Sequence, residues 1–152
     1  MCSGLEWSST VPDNAQLEFC AGDPVKLHWH FNLSEGERLT DVQWLHLTDD
    51  GEEEQLVANY EENNFVPTAE FSGRVSHVGD GGMELSCATI MDSGRYSVVV
   101  STRNDVTSVS AQHRRAVSVR VNGKIYLLCL YLPPFSFRVN GKIYLLCLYL
   151  PF

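Results

Sequence analysis

The chain has 152 residues, enough for about one domain, and 44% of them are hydrophobic while 20% are charged. This composition excludes a disordered chain, and five cysteines are too few for a disulfide-dense miniprotein. The net charge of −8 is uneven, because residues 1–105 hold all 19 acidic residues whereas residues 106–152 hold only basic ones. An acidic body repels phosphate backbones, which argues against nucleic-acid binding and favours a partner with a basic face.

Residues 1–14 are interpreted as an N-terminal extension of the domain. Residues 1–8 lack the basic and apolar regions of a secretory signal peptide. The longest apolar run, residues 125–132, is too short for a membrane-spanning helix, which needs about 20 residues. We therefore expect either a cytosolic chain or a secretory protein whose leader is missing.

Between residues 15 and 121, short alternating apolar segments are separated by turn residues, and helical periodicity is not sustained. Strands are predicted at residues 25–31, 42–45, 56–60, 71–78, 83–87, 96–100 and 117–121. Turns are predicted at residues 22–24, 49–51, 79–82, 92–94 and 103–105. Many short strands at this spacing predict an all-β sandwich over residues 15–121.

The C-terminal segment, residues 122–152, contains a perfect repeat. RVNGKIYLLCLYLP occurs at residues 120–133 and again at residues 138–151. Identical copies are typical of a recent tandem duplication or of translated non-coding repeat, since structural repeats diverge. Each copy carries Asn-Gly between two β-prone runs, a hairpin signal whose exposed apolar edges would favour aggregation. We interpret this segment as a hydrophobic tail rather than a domain.

Several motifs, taken in order, resemble an immunoglobulin variable-type domain. Asp92-Ser93-Gly94-Arg95-Tyr96 matches the D-x-G-x-Y signature at the start of strand F, and residues 83–88 match the inward positions of strand E. Residues 71–75 resemble strand D, residues 22–27 resemble the opening of strand B, and Trp44 stands where the tryptophan of strand C belongs. The resemblance implies a two-sheet Greek-key sandwich with no enzymatic activity and no cofactor.

The same resemblance assigns structural roles to particular residues. Tyr96 would form the tyrosine corner, and Arg74 would pair with Asp92. The positions of the usual disulfide between strands B and F are Trp29 and Val98, so this bridge is absent. The two side chains, with Trp44 beside them, would fill the same core volume. Variable-type domains without this bridge occur in the lymphocyte adhesion and signalling lymphocytic activation molecule (SLAM) group, which this chain resembles, although a diverged receptor of another kind is an alternative.

Two cysteines remain within the predicted sandwich. Cys20 precedes strand B and Cys87 lies late on strand E, where antiparallel pairing would place it opposite about Val25. This separation from Cys20 argues against a disulfide, because Cα atoms more than about 7 Å apart cannot be bridged without backbone movement. Whether the two cysteines pair stays open.

Catalytic and metal sites find little support in the residue spacing. His28 and His30 lie on one face of a strand, but a structural zinc site needs four ligands, and His46 belongs to the opposite sheet. No nucleophile–base pairing or phosphate-binding loop is recognisable. The acidic run at residues 49–54 lacks the alternation of an EF-hand loop. We therefore expect no metal, no small-molecule substrate and no enzyme.

A charged protein-binding face is the functional prediction. In the adhesion group, the outer face of the G-F-C-C′-C″ sheet binds the equivalent face of another variable-type domain. The candidate partner-binding residues here are Asp49, Asp50, Glu52, Glu53, Glu54, Glu61, Glu62, Arg103, Arg114 and Arg115. Acid at one end and base at the other would let the face bind its own copy or a basic partner. Alternatively, the charges only keep the surface soluble.

The resemblance therefore implies a cell-surface recognition module of immune cells that binds another immunoglobulin-like domain on the same or another cell. Asn32-Leu33-Ser34 is a candidate glycosylation acceptor in the B–C loop and favours an extracellular location. The alternative is a truncated or mispredicted receptor fragment with no independent function.

Overall fold

The computed structural model describes residues 4–9 and 11–123, together with the backbone of two strands in the tail. The strands in chain order are β1 (Glu6–Trp7), β2 (Ala15–Cys20), β3 (Val25–Leu27), β4 (Phe31–Asn32), β5 (Glu37–Thr48), β6 (Gln55–Glu61), β7 (Asn64–Pro67), β8 (Val75–Val78), β9 (Gly82–Leu85), β10 (Gly94–Asn104), β11 (Ser110–Asn122), β12 (Phe135–Val139) and β13 (Lys142–Leu146). A 3₁₀ turn, Ile90–Asp92, precedes β10.

Two sheets form the sandwich. The six-stranded sheet has the order β2-β11-β10-β5-β6-β7, and the three-stranded sheet has the order β3-β9-β8. All neighbours pair antiparallel except β2, which runs parallel to β11. The short strands β1 and β4 pair with each other, and so do β12 and β13. The fold is therefore the all-β sandwich that the sequence predicts.

The core lies between the two sheets and follows from alternation along the strands. In β10, Tyr96, Val98 and Val100 point inward and are at most 1% exposed. Trp29 and Trp44 belong to the same buried cluster as Val98. Burying side chains of this size stabilises the fold by about 1.5–3 kcal/mol each.

The indole N–H of Trp44 has a hydrogen-bond partner within the core. Its indole Nε1 donates a hydrogen bond to the carbonyl oxygen of Gly81 at 3.0 Å. A buried tryptophan needs such a partner, because an unsatisfied N–H in the core is costly. The contact joins β5 of the six-stranded sheet to the β8–β9 turn of the three-stranded sheet.

Two strands are shorter in the structure than the sequence predicts: residues 25–31 contain β3 (Val25–Leu27), and residues 71–78 contain β8 (Val75–Val78). Strand β3 ends at Leu27, although the carbonyl of Trp29 still accepts from Gly81 N in register with the β3–β9 ladder. The carbonyl of His30 accepts instead from Ser8 N of the N-terminal segment. Strand β8 begins at Val75 and not at Phe71, since the intervening residues form a turn in which Gly73 has φ of +79°.

The N-terminal segment packs on the sandwich instead of extending from it. Leu5 is buried in the core, β1 pairs with β4, and the hydroxyl oxygen of Ser9 accepts a hydrogen bond from His30 N at 3.0 Å. Leu5, which precedes the expected boundary at residue 15, therefore contributes to the core of the sandwich.

The cysteines of the sandwich do not pair with each other. Cys20 is a free, exposed thiol, whereas Cys87 is disulfide-bonded. The observed register places Leu85 opposite Val25, so Cys87 lies beyond the end of the β3–β9 ladder and not opposite Val25 as expected.

Candidate recognition face

The corner before β10 fixes the six-stranded sheet against the three-stranded sheet. Thr89 caps the 3₁₀ turn, and the Asp92 carboxylate accepts a hydrogen bond from the backbone N–H of Thr89 at 2.8 Å. The same carboxylate lies 2.6 Å from Nη2 of Arg74. Hydrogen bonds to a charged group are stronger than neutral ones, so this pair holds the turn firmly.

Tyr96 completes this corner. Its hydroxyl donates a hydrogen bond to the carbonyl oxygen of Asp92 at 2.7 Å. Burial raises the pKa of the Tyr96 phenol well above its ordinary value, and the nearby Asp92 carboxylate adds to the rise. The stacked ring of His46, 4.3 Å away between centroids, is itself buried and lies within hydrogen-bonding distance of the carbonyl oxygen of Ser93. These contacts therefore attach the start of β10 to the turn that precedes it.

The outer face is the side of the six-stranded sheet that points away from the three-stranded sheet. Residues paired directly across neighbouring strands point to the same side. Val99 of β10 faces away from the core and pairs with Arg114 of β11 and Gln43 of β5. Gln43 in turn pairs with Asn59 of β6, and Asn59 with Val66 of β7. This row defines the outer face from one edge of the sheet towards the other.

Apolar side chains are exposed on the β6–β7 side of this face. Leu56 is 39% exposed and Val66 is 51% exposed. Between Gln43 and Val66, the Oδ1 atom of Asn59 is buried without a hydrogen-bond partner among the described residues. This part of the outer face therefore carries exposed apolar surface together with an amide oxygen that has no partner among the described residues.

The predicted acidic residues fall into two groups at opposite ends of β6. Asp49, Asp50, Glu52 and Glu53 are exposed in the connection between β5 and β6. Glu61 and Glu62 are exposed where β6 turns into β7. Since β6 has seven residues and a strand rises about 3.3 Å per residue, the two groups are about 20 Å apart.

Glu54 differs from the other acids because it is already paired. Its carboxylate contacts the guanidinium of Arg114, which also donates a hydrogen bond to Ser97 Oγ at 3.0 Å. The contact reaches from the β5–β6 connection to β11. It joins residues 60 positions apart and was not apparent from the sequence.

The three predicted arginines occupy different surroundings. Arg103 is exposed near the end of β10, on the outer face. Arg114 is on the outer face but is bound to Glu54. Arg115 pairs with Val98 and so points to the inward side, where it lies 3.7 Å from Asp13 and over the ring of Trp7. The structure therefore does not bring the three together.

Further residues of this end were missed by sequence reasoning. Arg38 on β5 lies opposite Arg103 in the strand register. The Nε atom of Arg38 lies 2.8 Å from the carboxylate of Asp105 in the β10–β11 loop. Asp105 N also donates to the carbonyl of Gly36. No sequence signal joins these residues, because Gly36 and Arg38 flank the start of β5 whereas Asp105 lies in the β10–β11 loop.

The remaining candidates lie away from this face. His28 and His30 have ring centroids 6.5 Å apart, and no group of three or more potential metal ligands occurs within the described part of the chain. Asn32 is exposed, but it is the last residue of β4 and pairs with Glu6 rather than lying in a loop.

The strand order, with β2 parallel to β11 and a tyrosine corner before β10, defines an immunoglobulin-like sandwich of the variable type. The family model of the immunoglobulin V-set domain matches residues 13–120, and the chain belongs to this family. V-set domains are non-enzymatic, generally act as recognition modules and are usually extracellular.

Solved structures share the fold. The structure of murine CRIg is similar with a TM-score of 0.64 and 17% identity, over 75% of this chain and 98% of that one. The two tandem V-type regions of VCBP3, a v-region-containing chitin binding protein, give a TM-score of 0.58 and 16% identity over 80% of this chain. The present chain spans 47% of that VCBP3 chain. No curated protein matches in sequence.

Within the described residues, no helix is long and apolar enough to cross a membrane.

Proposed function

We propose that this V-set domain is a cell-surface recognition module that binds another immunoglobulin-like domain through the outer face of its six-stranded sheet. The setting is contact between immune cells. One observation carries the proposal: Leu56 and Val66 are exposed on the outer face, with unpaired carboxylates at both ends of β6. Such a mixture of exposed apolar surface and a charged rim is typical of protein interfaces.

The charges at the rim would set partner choice more than affinity. Asp49, Asp50, Glu52 and Glu53 form no ion pair with a described residue, so they are available to a basic surface. The residues at the disulfide positions, Trp29 and Val98, support a place in the adhesion and SLAM group. We further propose that Asn32 carries a glycan, which would extend from the exposed end of β4.

The perfect repeat in residues 122–152 favours a second candidate. On this alternative the chain is a truncated or mispredicted receptor fragment without independent function. The two candidates differ in whether the folded chain binds cells.

The test applies the full chain, tetramerised on streptavidin through biotin, to blood leukocytes. We expect the wild-type tetramer to bind a subset of cells and the Leu56→Ser, Val66→Ser variant to lose that binding. The matched control is Ile90→Ser, Met91→Ser, which alters two apolar residues that are 66% and 78% exposed before β10. Equal binding by both variants contradicts the outer face as the site. Absence of binding by the wild type favours the fragment.

A further inference from the structure

Cys87 is disulfide-bonded, and Cys20, the other cysteine of the sandwich, is a free thiol. The partner of Cys87 is therefore one of the remaining three cysteines of the chain. These are Cys2, which precedes the sandwich, and Cys129 and Cys147, which hold the same position in the two copies of the C-terminal repeat. The place of Cys87 in the fold distinguishes between the two ends of the chain.

The chain leaves the sandwich next to Cys87. In the connection between β2 and β3, the N–H groups of residues 21–22 donate hydrogen bonds of 2.8 Å to the carbonyls of Asn122 and Ala88, respectively. Asn122 is the last residue of β11, and Ala88 directly follows Cys87. Cys129 comes seven residues after Asn122, and an extended chain of that length spans about 23 Å. Because two adjacent residues bridge the two carbonyls, Cys87 lies well within this reach.

The N-terminus lies at the opposite end of the sandwich. Gly4 lies beside the ring of His113 on β11. From His113, β11 continues for nine residues to Asn122, which is about 30 Å. Cys2 is two residues from Gly4, a span of about 7 Å. Cys2 is therefore too far from Cys87 to be its partner, since the Cα atoms of a disulfide lie within about 7 Å of each other.

Exposed apolar side chains lie at the same corner. Ile90 and Met91, in the 3₁₀ turn that follows Cys87, are 66% and 78% exposed. An open cavity of about 720 Å³ is lined by Ile90, by Leu17 of β2 and by Gly123, the residue after β11. The hydrophobic tail, residues 122–152, therefore starts at the wall of a cavity that also holds exposed apolar surface.

The hydrophobic tail is rich in residues that are stabilised by packing on such a surface. Its strands β12 and β13 have the sequences FSFRV and KIYLL, and among the described strands they pair only with each other. A two-stranded hairpin alone is at best marginally stable in water, and packing against a further element is what stabilises it. The cavity beside Gly123 offers this packing without a second molecule.

We propose that the hydrophobic tail folds back after Gly123 on the corner before β10 and is tied there by a disulfide between Cys87 and a cysteine of the repeat. The inference goes beyond the proposed function and does not depend on what the outer face binds. It makes the repeat part of the folded domain, which the alternative of a mispredicted fragment does not require. Disulfides persist in oxidising compartments, so the bond fits the proposed extracellular location.

The bond forms by thiol–disulfide exchange, for which a small-molecule disulfide such as oxidised glutathione is the oxidant. The thiolate of the repeat cysteine attacks the donor disulfide and releases one thiol. The thiolate of Cys87 then displaces the second thiol from the mixed disulfide. The two cysteines are oxidised, the donor is reduced, and the protons of the two cysteines pass to the two released thiols. A reductant reverses the exchange and frees the tail.

The first test is peptide mapping of the full chain, folded in a glutathione buffer, alkylated and digested without further reductant. Trypsin places Cys87 in residues 75–95 and its candidate partners in residues 1–26, 125–138 and 143–152. We expect residues 75–95 to be linked to residues 125–138 or to residues 143–152, which identifies the copy of the repeat. A link to residues 1–26, or an alkylated Cys87, overturns the inference.

The second test measures whether the tail folds back. Trypsin cleavage after Arg138 requires this part of the tail to open, so its rate reports docking. We expect Cys87→Ser to raise this rate about tenfold or more, because the lost bond frees the tail. Cys20→Ser is the matched control and should leave the rate unchanged, since its thiol is exposed and free. Ile90→Ser, Met91→Ser should raise the rate while the disulfide still forms.

Reduction of the wild type gives the same readout without a substitution, and circular dichroism verifies that the sandwich stays folded. If the reduced chain or Cys87→Ser is cleaved at the wild-type rate, the tail is not held by the bond and the inference fails. An equal acceleration by Cys20→Ser shows a general loss of stability and overturns it too. If Ile90→Ser, Met91→Ser is cleaved like the wild type, the tail does not dock on this corner.

Discussion

The two outward surfaces of the sandwich differ in whether their carboxylates have a basic side chain nearby. On the three-stranded sheet, Glu84 lies 3.2 Å from Nε2 of His28 and 4.0 Å from Nζ of Lys26, so its carboxylate is surrounded by its own neighbours. On the six-stranded sheet, the carboxylates at both ends of β6 other than Glu54 lack such neighbours among the described residues, and Leu56 and Val66 are exposed between them. Both sheets bury one side in the same core. The difference favours the proposal that a partner binds the six-stranded sheet rather than the three-stranded one.

The largest expected effect is on the stability of the whole sandwich, because unfolding would remove both outward surfaces together. Trp29→Ala should lower the free energy of unfolding by about 3–5 kcal/mol, because it leaves a cavity between the sheets. Chemical denaturation measures this loss, and Trp29→Phe, which keeps an aromatic ring, should cost less. A tolerated Trp29→Ala would contradict the position of this residue in the core.

A smaller effect comes from the corner that fixes β10. Asp92→Asn removes the charge that Arg74 and the backbone of Thr89 bind, and should cost about 2 kcal/mol. Asp50→Asn, at an exposed acid, is the control and should change stability by less than about 0.5 kcal/mol. Equal stability of the two variants in denaturant would show that the corner contributes nothing.

Tyr96→Phe should cost about 1 kcal/mol by removing the hydrogen bond to the Asp92 carbonyl. It also changes the response to alkali. Burial raises the pKa of the folded-state phenol above its ordinary value of 10.0, so the unfolded chain loses this proton first. Stability is therefore fully present below pH 10 and falls as the pH rises further. Thermal unfolding between pH 8 and about pH 11 should show a steeper loss for the wild type than for Tyr96→Phe; parallel curves would be inconsistent with a buried phenol.

The smallest effect on stability is expected for variants that change exposed charges, and these variants test which outward surface binds leukocytes. Glu52→Lys, Glu53→Lys should leave the free energy of unfolding within about 0.5 kcal/mol of the wild type, because both side chains are exposed. The same variant should weaken leukocyte binding by the tetramer. Lys26→Glu, on the three-stranded sheet, should leave binding unchanged. Adding Glu54→Lys should also loosen the β5–β6 connection, since it breaks the contact with Arg114.

The sequence was most informative where a motif is local. Residues 92–96 predicted the corner because its capping turn and tyrosine are close in the chain. The early end of strand β3 could not be predicted, because the carbonyl of His30 binds Ser8 N from a segment outside the predicted sandwich. The predicted face depended on register, and a shift of one residue moves a side chain to the other side of a sheet. Arg114 and Arg115 are adjacent on β11 and therefore point to opposite sides.

The central claim is the proposal that the outer face of the six-stranded sheet is the surface through which this domain binds its partner. The most direct measurement compares leukocyte binding by tetramers of Leu56→Ser, Val66→Ser with that of Lys26→Glu, which alters the three-stranded sheet. The account predicts that only the outer-face variant loses binding. Loss of binding by Lys26→Glu alone, or equal binding by the two variants, would contradict it.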